Sequence, residues 1–378
     1  MTKHFFLVAG EASGDQHAAK LIGEIKQHDT NVRFSGIGGV AMQNAGVDIL
    51  ANLARYGVVG GTEVLMHLRV IIRTYRAAKN LLRTDPPDLL ILVNYPSFNL
   101  RLAKFARKLG IKTLFYISPQ VWAWKRWRIK TIRKTIDLMA VILPFEAAIY
   151  QQENVPVKYV GHPLTKQVKP SMSVAQAKQF FQLRPDDKVI GLLPGSRTGE
   201  LKRLLPIICA AAAQLKQHHP ECQFILPVAS SLTPENIHEY LPQDMHEQVK
   251  IVQGHTYDVM HCCDAIIITS GTATLETALI GTPMVIIYKF SALSFAIAKR
   301  LIKVDYIGLC NLLARKAIVP ELIQHQVTVE RIVTEINKYL DDKAYAQKVR
   351  QQLQGVRDIL ATNEEEGNLA KLAVEMAQ

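Results

Sequence analysis

The sequence lacks any long apolar segment, although 48% of its 378 residues are hydrophobic. A helix that crosses a bilayer needs about 20 consecutive apolar residues, so the sequence predicts no transmembrane helix. Met1 to His4 lead directly into a short apolar run, without a small-residue cleavage site. A signal peptide is therefore not expected either, and we expect a folded protein of the cytoplasm.

Cysteine is also scarce, since the chain has only five, and none stands at a spacing typical of a metal site. Cys262 and Cys263 are adjacent, which is poor geometry for a structural disulfide. These features favour a reducing compartment. The 12 histidines include no H-E-x-x-H motif, so the sequence predicts no metal ion. No cofactor is expected either.

Acidic residues are nearly absent between Val64 and Lys134. This segment holds 16 Lys or Arg residues against two acids, Asp85 and Asp88, which leaves a local net charge of +14. The whole chain carries +12, so the remainder is slightly acidic. A concentrated positive field attracts phosphate groups, and it leaves nucleic acid, an anionic membrane and a phosphorylated substrate open as partners.

Short apolar runs alternate with helical patterns, which is typical of an α/β fold with parallel sheets. Because the chain is too long for one ordinary core, we predict two doubly wound, Rossmann-like domains that face each other across a cleft. The predicted domains are residues 1–165 and 166–340, followed by C-terminal helices at 341–378. Strands are predicted at 5–9, 34–39, 89–93, 114–117, 138–142, 189–193, 224–228, 251–252, 265–268 and 285–288.

The stretch Ser270–Glu276 is the strongest candidate for a binding site. It lies between a predicted buried strand and a predicted helix at 275–280, so the unpaired N–H groups of a helix start can face an anion. The carboxylate of Glu276 suits ribose hydroxyls better than phosphate. Both a nucleotide site and a capped helix with a solvated Glu remain open. The hydroxyl and glycine positions of the stretch are Ser270, Gly271, Thr272 and Thr274.

Other loops at predicted strand ends also carry polar side chains. Gly195, Ser196 and Arg197 can present backbone N–H groups and a guanidinium to phosphate. In the first domain, Glu11 is a candidate for acid–base work or hydroxyl binding, whereas Asp15 is expected mainly to cap the helix that follows it. Further candidates for contacts with a substrate are Ser13, Trp122 and His162, and Trp124 and Trp127 lie near Trp122 among basic residues.

The segment Glu63–Arg83 predicts a helix that is apolar on more than one side and lined by arginines. This pattern is typical of a helix that lies at a membrane surface, although a core helix with snorkelling arginines stays open. The residues predicted to face the membrane are Val64, Leu65, Leu68, Arg69, Ile71, Ile72, Arg73 and Arg76.

Taken together, these loops resemble those of the lipid-A-disaccharide synthases, inverting glycosyltransferases of the GT-B fold. The resemblance extends over nearly the whole chain and rests on an ordered set of motifs. These are Ala9–Asp15, Ile117–Trp124, Gly161–Leu164, Leu193–Arg197, Ser270–Glu276, Asn311 and Val319–Leu322 with Gln324.

The resemblance implies transfer of 2,3-diacylglucosamine from UDP to 2,3-diacylglucosamine 1-phosphate, with formation of a β-1,6 disaccharide and release of UDP. It implies that Arg197, Glu276 and Asn311 hold UDP, that Glu11 lines the reaction centre, and that the C-terminal helix crosses back onto the first domain. It also implies a peripheral protein on the inner face of the inner membrane of a Gram-negative bacterium, with no nucleic acid as partner. A homodimer stays open.

One residue departs from the family pattern at a chemically important position. The family carries Asp in an Asp-x-Pro motif as its proposed general base, whereas this chain has Asn94 before Tyr95 and Pro96. A neutral amide cannot accept the proton of the attacking hydroxyl. Either Glu11 substitutes as the base, or the protein is a weak or inactive paralogue that binds UDP-sugar and lipid. A smaller departure is Cys310, where the family has Pro.

Overall fold

The computed structural model of the protein describes residues 2–53, 68–123, 125–289, 305–361 and 368–378. The chain divides into two compact units, one of Met1–Pro163 with Thr362–Gln378 and one of Leu164–Ala361. Of the residues singled out above, Val64, Leu65 and Trp124 lie outside the described residues.

The first unit contains a seven-stranded parallel sheet. Its central strand β4 consists of five aliphatic residues and is buried on both faces, as expected for a parallel sheet covered by helices on both sides. The strand order is β3-β2-β1-β4-β5-β6-β7. Successive strands are added on one side of β1 up to β3 and on its other side from β4 onward, so the order reverses between β1 and β4. The strands are β1 Lys3–Ala9, β2 Val32–Ile37, β3 Asp48–Ala51, β4 Leu89–Val93, β5 Lys112–Tyr116, β6 Leu138–Val141 and β7 Val157–Tyr159.

Helices pack on both faces of this sheet and form two apolar clusters with it. One cluster contains Ala78 and Leu82, and the other contains Leu21, Ile22 and Ile25. The helices of the main segment are α1 Ala12–His28, α2 Val40–Asn44, α3 Leu68–Thr84, α4 Pro96–Lys108, α5 Arg128–Thr135 and α6 Pro144–Gln152. Because α2 and β3 are short, their residues carry little periodicity, and the sequence did not predict them.

The second unit repeats the same plan with a six-stranded parallel sheet. Its order is β10-β9-β8-β11-β12-β13, and the reversal lies between β8 and β11. The strands are β8 Val189–Leu193, β9 Gln223–Val228, β10 Val249–Gln253, β11 Ala265–Thr269, β12 Met284–Tyr288 and β13 Glu321–Ile323. The helices are α7 Leu164–Gln167, α8 Val174–Phe180, α9 Thr198–His218, α10 Pro234–Tyr240, α11 Thr256–Cys262, α12 Thr272–Ile280, α13 Leu309–Ala314, α14 Val329–Asp341 and α15 Lys343–Leu360.

The last helix, α16 (Leu369–Met376), belongs to the first unit. Leu369, Ala370 and Ala373 are buried in the same apolar cluster as α1. The Nζ of Lys3 donates to the carbonyl of Val374 at 3.5 Å. The chain therefore ends on the unit in which it began.

The predicted fold class, two doubly wound α/β domains, is confirmed by the two sheets. Nine of the ten predicted strands overlap observed strands with small differences at their ends, and the tenth, predicted at 251–252, lies inside the longer β10. Within the described part of the chain, no helix combines the length and apolar character needed to cross a membrane.

Candidate active site

Ligands of doubly wound sheets bind beyond the carboxyl ends of the strands, at the point where the strand order reverses. In the first sheet this point lies between β1 and β4, which end at Ala9 and Val93. In the second sheet it lies between β8 and β11, which end at Leu193 and Thr269. The loops that contain Glu11, Asn94, Gly195–Arg197 and Ser270–Glu276 follow these four strands.

A cavity of about 700 Å³ occupies the switch point of the second unit. Its walls combine the loops after β8 and β11 with the start of α11, so phosphate-binding and hydroxyl-binding groups face the same space. The lining includes Lys169, Ser171, Gly195, Ser196, Arg197, Glu200, His255, Tyr257, Ser270, Gly271, Thr272, Glu276 and Tyr288.

The start of α12 provides the anion-binding end of this cavity. The helix begins at Thr272, three residues earlier than predicted, and directly follows the extended residue Gly271. A Cβ atom at Gly271 would have no neighbour within 4 Å, so the backbone here is open to a ligand. The first N–H groups of the helix have no partner within the helix, and the helix dipole favours negative charge at this end.

The loop after β8 is shaped by a buried carboxylate that the sequence analysis did not single out. Oε2 of Glu200 accepts the backbone N–H of Ser196 at 3.0 Å, and Oε1 accepts Nη1 of Arg197 at 3.4 Å. Gly195 has φ +115°, and a Cβ atom there would lie 2.3 Å from Oε2 of Glu200. The N–H of Ser196 is thus engaged within the protein, while the Arg197 side chain is 65% exposed and faces the cavity.

We predict that Gly195→Ala destabilises the second unit by at least about 2 kcal/mol, because the left-handed backbone is strained for alanine and Glu200 must move. Gly281→Ala is the matched control, since Gly281 has φ +91° with no atom near its Cβ position. The control measures the backbone strain alone, which is expected to cost about 1–2 kcal/mol. Chemical denaturation measures the free energy of unfolding of both variants, and equal losses of stability would show that Glu200 does not restrict Gly195.

Glu276 lies on the first turns of α12 and faces the cavity. The hydroxyl of Tyr257 donates to Oε1 of Glu276 at 3.1 Å. Burial raises the pKa of Glu276, and the bond from Tyr257 partly opposes this rise. Burial also raises the pKa of Tyr257 to about 12, so the hydroxyl keeps its proton at neutral pH. The second carboxylate oxygen is suited to accept hydroxyl donors of a sugar.

In the first unit, the two loops at the switch point meet through a hydrogen bond. Nδ2 of Asn94 donates to Oε2 of Glu11 at 3.1 Å. Glu11 directly precedes α1, and its side chain makes no capping bond to that helix. Asn94 and Tyr95 both have left-handed backbones, with φ of 48° and 47°. Two such residues in sequence are strained, and strain of this kind concentrates at functional sites.

The ring of Tyr95 explains the glycine beside Glu11. A Cβ atom at Gly10 would lie 2.3 Å from Cδ1 of Tyr95, so the ring occupies the space that a side chain would need. Tyr95 also stacks on Phe98 with ring centroids 5.8 Å apart. Gly10 is therefore required by packing at this edge.

Two histidines near the same edge have lowered pKa values. Burial lowers the pKa of His162 to about 4, and the neighbouring His17 lowers it further. Burial also lowers the pKa of His17, whose ring meets Tyr116 edge-on at 6.3 Å. His162 is only 8% exposed. A contact between His162 and the acceptor stays a prediction.

Comparison with known proteins identifies the family to which this chain belongs. The family profile described as lipid-A-disaccharide synthetase matches residues 5–376. Lipid-A-disaccharide synthase of Geobacter sulfurreducens is 49% identical over 376 residues, which cover 99% of this chain and 98% of that protein. The chain belongs to the lipid-A-disaccharide synthase family. The enzyme of Nitrosococcus oceani is 46% identical over 372 residues, which cover 98% of this chain and 96% of that protein.

Solved structures with lower identity share the fold of this lipid-A-disaccharide synthase family member. The glycosyltransferase of kitacinnamycin has a TM-score of 0.67 and 13% identity, and the match covers all of both chains. UDP-N-acetylglucosamine 2-epimerase from Neisseria meningitidis has a TM-score of 0.62 and 14% identity over 99% of both chains. The resemblance to a GT-B glycosyltransferase seen in the sequence is thus confirmed.

The side chain of Asn311 is fully engaged within the protein, whereas the resemblance to lipid-A-disaccharide synthases implied that it holds UDP. It is fully buried, and all four of its hydrogen-bonding positions are used by the protein. Nδ2 donates to the carbonyl of Val319 and to Oε1 of Glu321, both at 2.8 Å. Oδ1 accepts the N–H groups of Ile318 and Val319 at 2.8 and 3.1 Å. Asn311 instead ties α13 to the strand that follows it.

Thr274 is also directed away from the cavity. Its side chain is buried, and Oγ1 donates to the carbonyl of Gly271 at 2.8 Å. The predicted UDP-binding residues that do line the cavity are Gly195, Ser196, Arg197, Ser270, Gly271, Thr272 and Glu276.

Asp15 anchors a neighbouring helix, so its assignment as an acceptor contact needs correction. Its carboxylate accepts the backbone N–H groups of Gly39, Ala41 and Met42 at 2.6, 2.9 and 3.1 Å, at the start of α2. The expectation that Asp15 caps the helix that follows it is therefore wrong, since its carboxylate serves the start of α2 instead. Ser13, by contrast, is exposed on the first turn of α1.

Trp122 has a partner that the sequence analysis missed. Its Nε1 donates to Oε1 of Glu146 at 3.1 Å. Glu146 is almost fully buried on the first turn of α6, and Leu143 N–H donates to its Oε2 at 3.3 Å. Burial raises the pKa of Glu146 to about 7. An acid at the third position of a helix is a recognisable capping signal, but nothing in the sequence connects it with Trp122.

The raised pKa of Glu146 predicts how the stability of the protein depends on pH. In the folded protein the pKa of Glu146 is about 7, above its ordinary value of 4.5. The protonated Glu146 carboxyl therefore contributes stability that is fully present below pH 4.5. This contribution is lost as the pH rises through 7. We therefore expect Glu146→Gln to gain stability relative to the wild type between pH 5 and pH 8. The difference in Tm, measured across this range, checks it, and a constant difference would contradict it.

Helix α3 shows which residues of the predicted membrane face are exposed. Leu68 and Ile72 are each 43% exposed, and the arginines beside them are exposed as well. Ile71 packs against the core of the first unit, on the side of Ala78 and Leu82, so its assignment to the membrane face needs correction. The exposed basic residues beside Leu68 and Ile72 are Arg69, Arg73 and Arg76.

Proposed function

We propose that this protein transfers 2,3-diacylglucosamine from UDP to the 6-hydroxyl of 2,3-diacylglucosamine 1-phosphate. The products are the β-1,6-linked lipid A disaccharide 1-phosphate and UDP. Membership of the lipid-A-disaccharide synthase family over almost the entire chain carries this proposal. The cavity of the second unit supports it, since phosphate donors and a sugar-binding carboxylate line the same space.

On the donor side, the start of α12 and Arg197 bind the diphosphate of the UDP-sugar. Glu276 accepts the ribose hydroxyls, with Tyr257 holding its other oxygen. When the bond between the anomeric carbon and the diphosphate breaks, negative charge develops on the leaving oxygen of UDP. The positive end of the helix dipole and the guanidinium stabilise this charge where it forms.

On the acceptor side, we propose Glu11 as the general base. The acceptor O6 attacks the anomeric carbon while its proton passes to the Glu11 carboxylate, and the departing electron pair remains on UDP. Asn94 cannot take the proton, but its amide orients Glu11 through the 3.1 Å hydrogen bond. Although Asn94 stands where the family has Asp, the Glu11 carboxylate still lies at this edge of the sheet.

The deciding experiment follows UDP release from both acylated sugars with the purified protein. The reaction is run in EDTA, because we also propose that no metal ion and no other cofactor take part. Steady release that requires the acceptor and yields the disaccharide supports the function. UDP-sugar binding without release would favour the inactive paralogue, and activity lost in EDTA but restored by a divalent ion would overturn the metal-free proposal.

We further propose that the first unit associates peripherally with the anionic inner face of the inner membrane. Helices α3, α4 and α5 contain 13 Lys or Arg residues and no acid. Leu68 and Ile72 are exposed on α3, and Trp127, just before α5, is 65% exposed. Basic residues beside exposed apolar side chains suit the boundary between lipid headgroups and acyl chains, where both substrates reside.

We predict that Arg73→Gln weakens binding to vesicles with anionic lipid about fivefold, because each basic residue near such a surface contributes about 1 kcal/mol. Ile72→Ser is expected to weaken binding further by removing an inserted side chain. Val174→Ser in the second unit is the matched control, since Val174 is 41% exposed. Sedimentation with vesicles measures all three, and an equal loss in the control would argue against this surface.

A further inference from the structure

The first unit contains a buried hydrogen-bond network that the proposed reaction does not yet use. It joins the segment Ser118–Ala123, which we call the Trp122 loop, to the start of α6. Glu146 is 2% exposed and lies at the centre of the network. Its carboxylate accepts the Nε1–H of Trp122 and the backbone N–H of Leu143.

A capping role alone does not account for this arrangement. A glutamate at the third position of a helix caps it with bonds to nearby backbone N–H groups, as Leu143 illustrates. Glu146 accepts in addition from the side chain of Trp122 in a different loop, after β5. In the same loop, the Ser118 hydroxyl donates to the carbonyl of Pro119 and lies 2.8 Å from the hydroxyl of the fully buried Tyr150 on α6. A buried carboxylate is costly unless several donors satisfy it, so the network fixes both loops together.

Trp122 is the member of the network that can meet a ligand. Its indole is only partly buried, while its N–H is held by Glu146 and its ring meets Phe145 edge-on at 5.3 Å. The loop follows β5, the strand next to β4, so it lies at the same carboxyl edge as Glu11 and Asn94. A fixed indole offers a broad apolar face to a sugar ring or to an acyl chain.

We infer that Glu146 is a positioning residue that holds Trp122 at this edge, where the indole packs against the acylated acceptor sugar. The inference rests on the proposed function for the identity of the ligand. It makes Trp122 a determinant of acceptor binding, and it places Glu146 behind Trp122 without contact to the substrate.

Steady-state kinetics with varied acceptor test the inference. Glu146→Leu removes both acceptor oxygens at similar volume, and Trp122→Phe keeps an aromatic ring but removes the N–H. Each is expected to raise the acceptor KM about tenfold, with the donor KM within about twofold of wild type. The double variant should be no worse than either single variant, because both remove the same contact. Glu153→Gln, beyond the end of α6 and paired with exposed Arg126, is the control.

A second measurement does not depend on turnover. In a Trp124→Phe, Trp127→Phe background, Trp122 is the only tryptophan, and its emission should change between pH 6 and pH 8 as Glu146 loses its proton. Burial raises the pKa of Glu146 to about 7. Tyr150, the other titratable group of the network, has its pKa raised by burial and stays protonated. Glu146→Gln should abolish the change, and circular dichroism verifies that each variant is folded.

The two measurements separate failure of the inference from failure of the proposed function. Wild-type protein without turnover, but with a pH-dependent Trp122 emission that requires Glu146, would overturn the function and leave the contact intact. An emission that does not respond to Glu146→Gln would overturn the contact. An unchanged acceptor KM in Trp122→Phe, or tenfold effects that multiply to about a hundredfold in the double variant, would overturn the positioning role.

Discussion

Replacing Glu11 by Gln is expected to lower kcat by about 10²–10⁴-fold, the usual contribution of a general base. Glutamine preserves the size of the side chain and can still meet the Asn94 amide, but it cannot accept the proton of the acceptor hydroxyl. The acceptor and donor KM values should change little, because the substitution removes an interaction that matters in the transition state. Turnover of the wild type and the variant at saturating substrate measures the effect.

The control is Glu24→Gln, which removes a carboxylate from the same helix α1 at a distance from the strand ends. A rate that is unchanged in Glu11→Gln would show that another group is the base. Asn94→Asp provides a second arm, because two carboxylates at about the 3.1 Å separation of the present pair cannot both ionise easily. It should shift the acidic limb of the pH–rate profile to higher pH, and an unshifted limb would argue against coupling between the two positions.

Asn311→Ala is expected to destabilise the second unit by at least about 3 kcal/mol, since each buried polar group left without a partner costs about 1–3 kcal/mol. The substitution would leave the N–H groups of Ile318 and Val319 and the carbonyl of Val319 without their partner in a fully buried site. A fall in Tm of about 6–12 °C is expected for a unit of this size. Thermal denaturation measures it.

Asn236→Ala is the control for Asn311, because Asn236 caps the start of α10 near the surface and its loss should cost only about 1 kcal/mol. UDP titrated into the folded fraction of Asn311→Ala should bind with nearly wild-type affinity. A stable variant with greatly weakened UDP binding would instead show that Asn311 contacts UDP, as the family resemblance implied.

The difference between Asn311 and Arg197 shows where a motif match stops being informative. Both belong to the ordered set of motifs, and both were expected to hold UDP. Arg197 has a largely exposed side chain at the wall of a cavity, whereas Asn311 is enclosed by the backbone of 318–319 and by Glu321. A motif records that a residue type matters, but it does not distinguish a residue that binds the ligand from one that holds the loop.

By itself, the sequence determined the two parallel sheets, the loops at their strand ends and the family. These are local properties: short, uninterrupted aliphatic runs bounded by turn residues, such as Leu89–Val93, are typical of buried strands, and strand ends are marked by glycine and polar residues. Only the tertiary structure decided which side chains meet. It placed Asn94 against Glu11, Glu200 under Gly195, Asp15 at the start of α2 and Glu146 behind Trp122. Except for Glu200, these partners are separated by more than 20 residues, and no local pattern encodes a contact that arises when parallel strands bring their carboxyl ends to one edge.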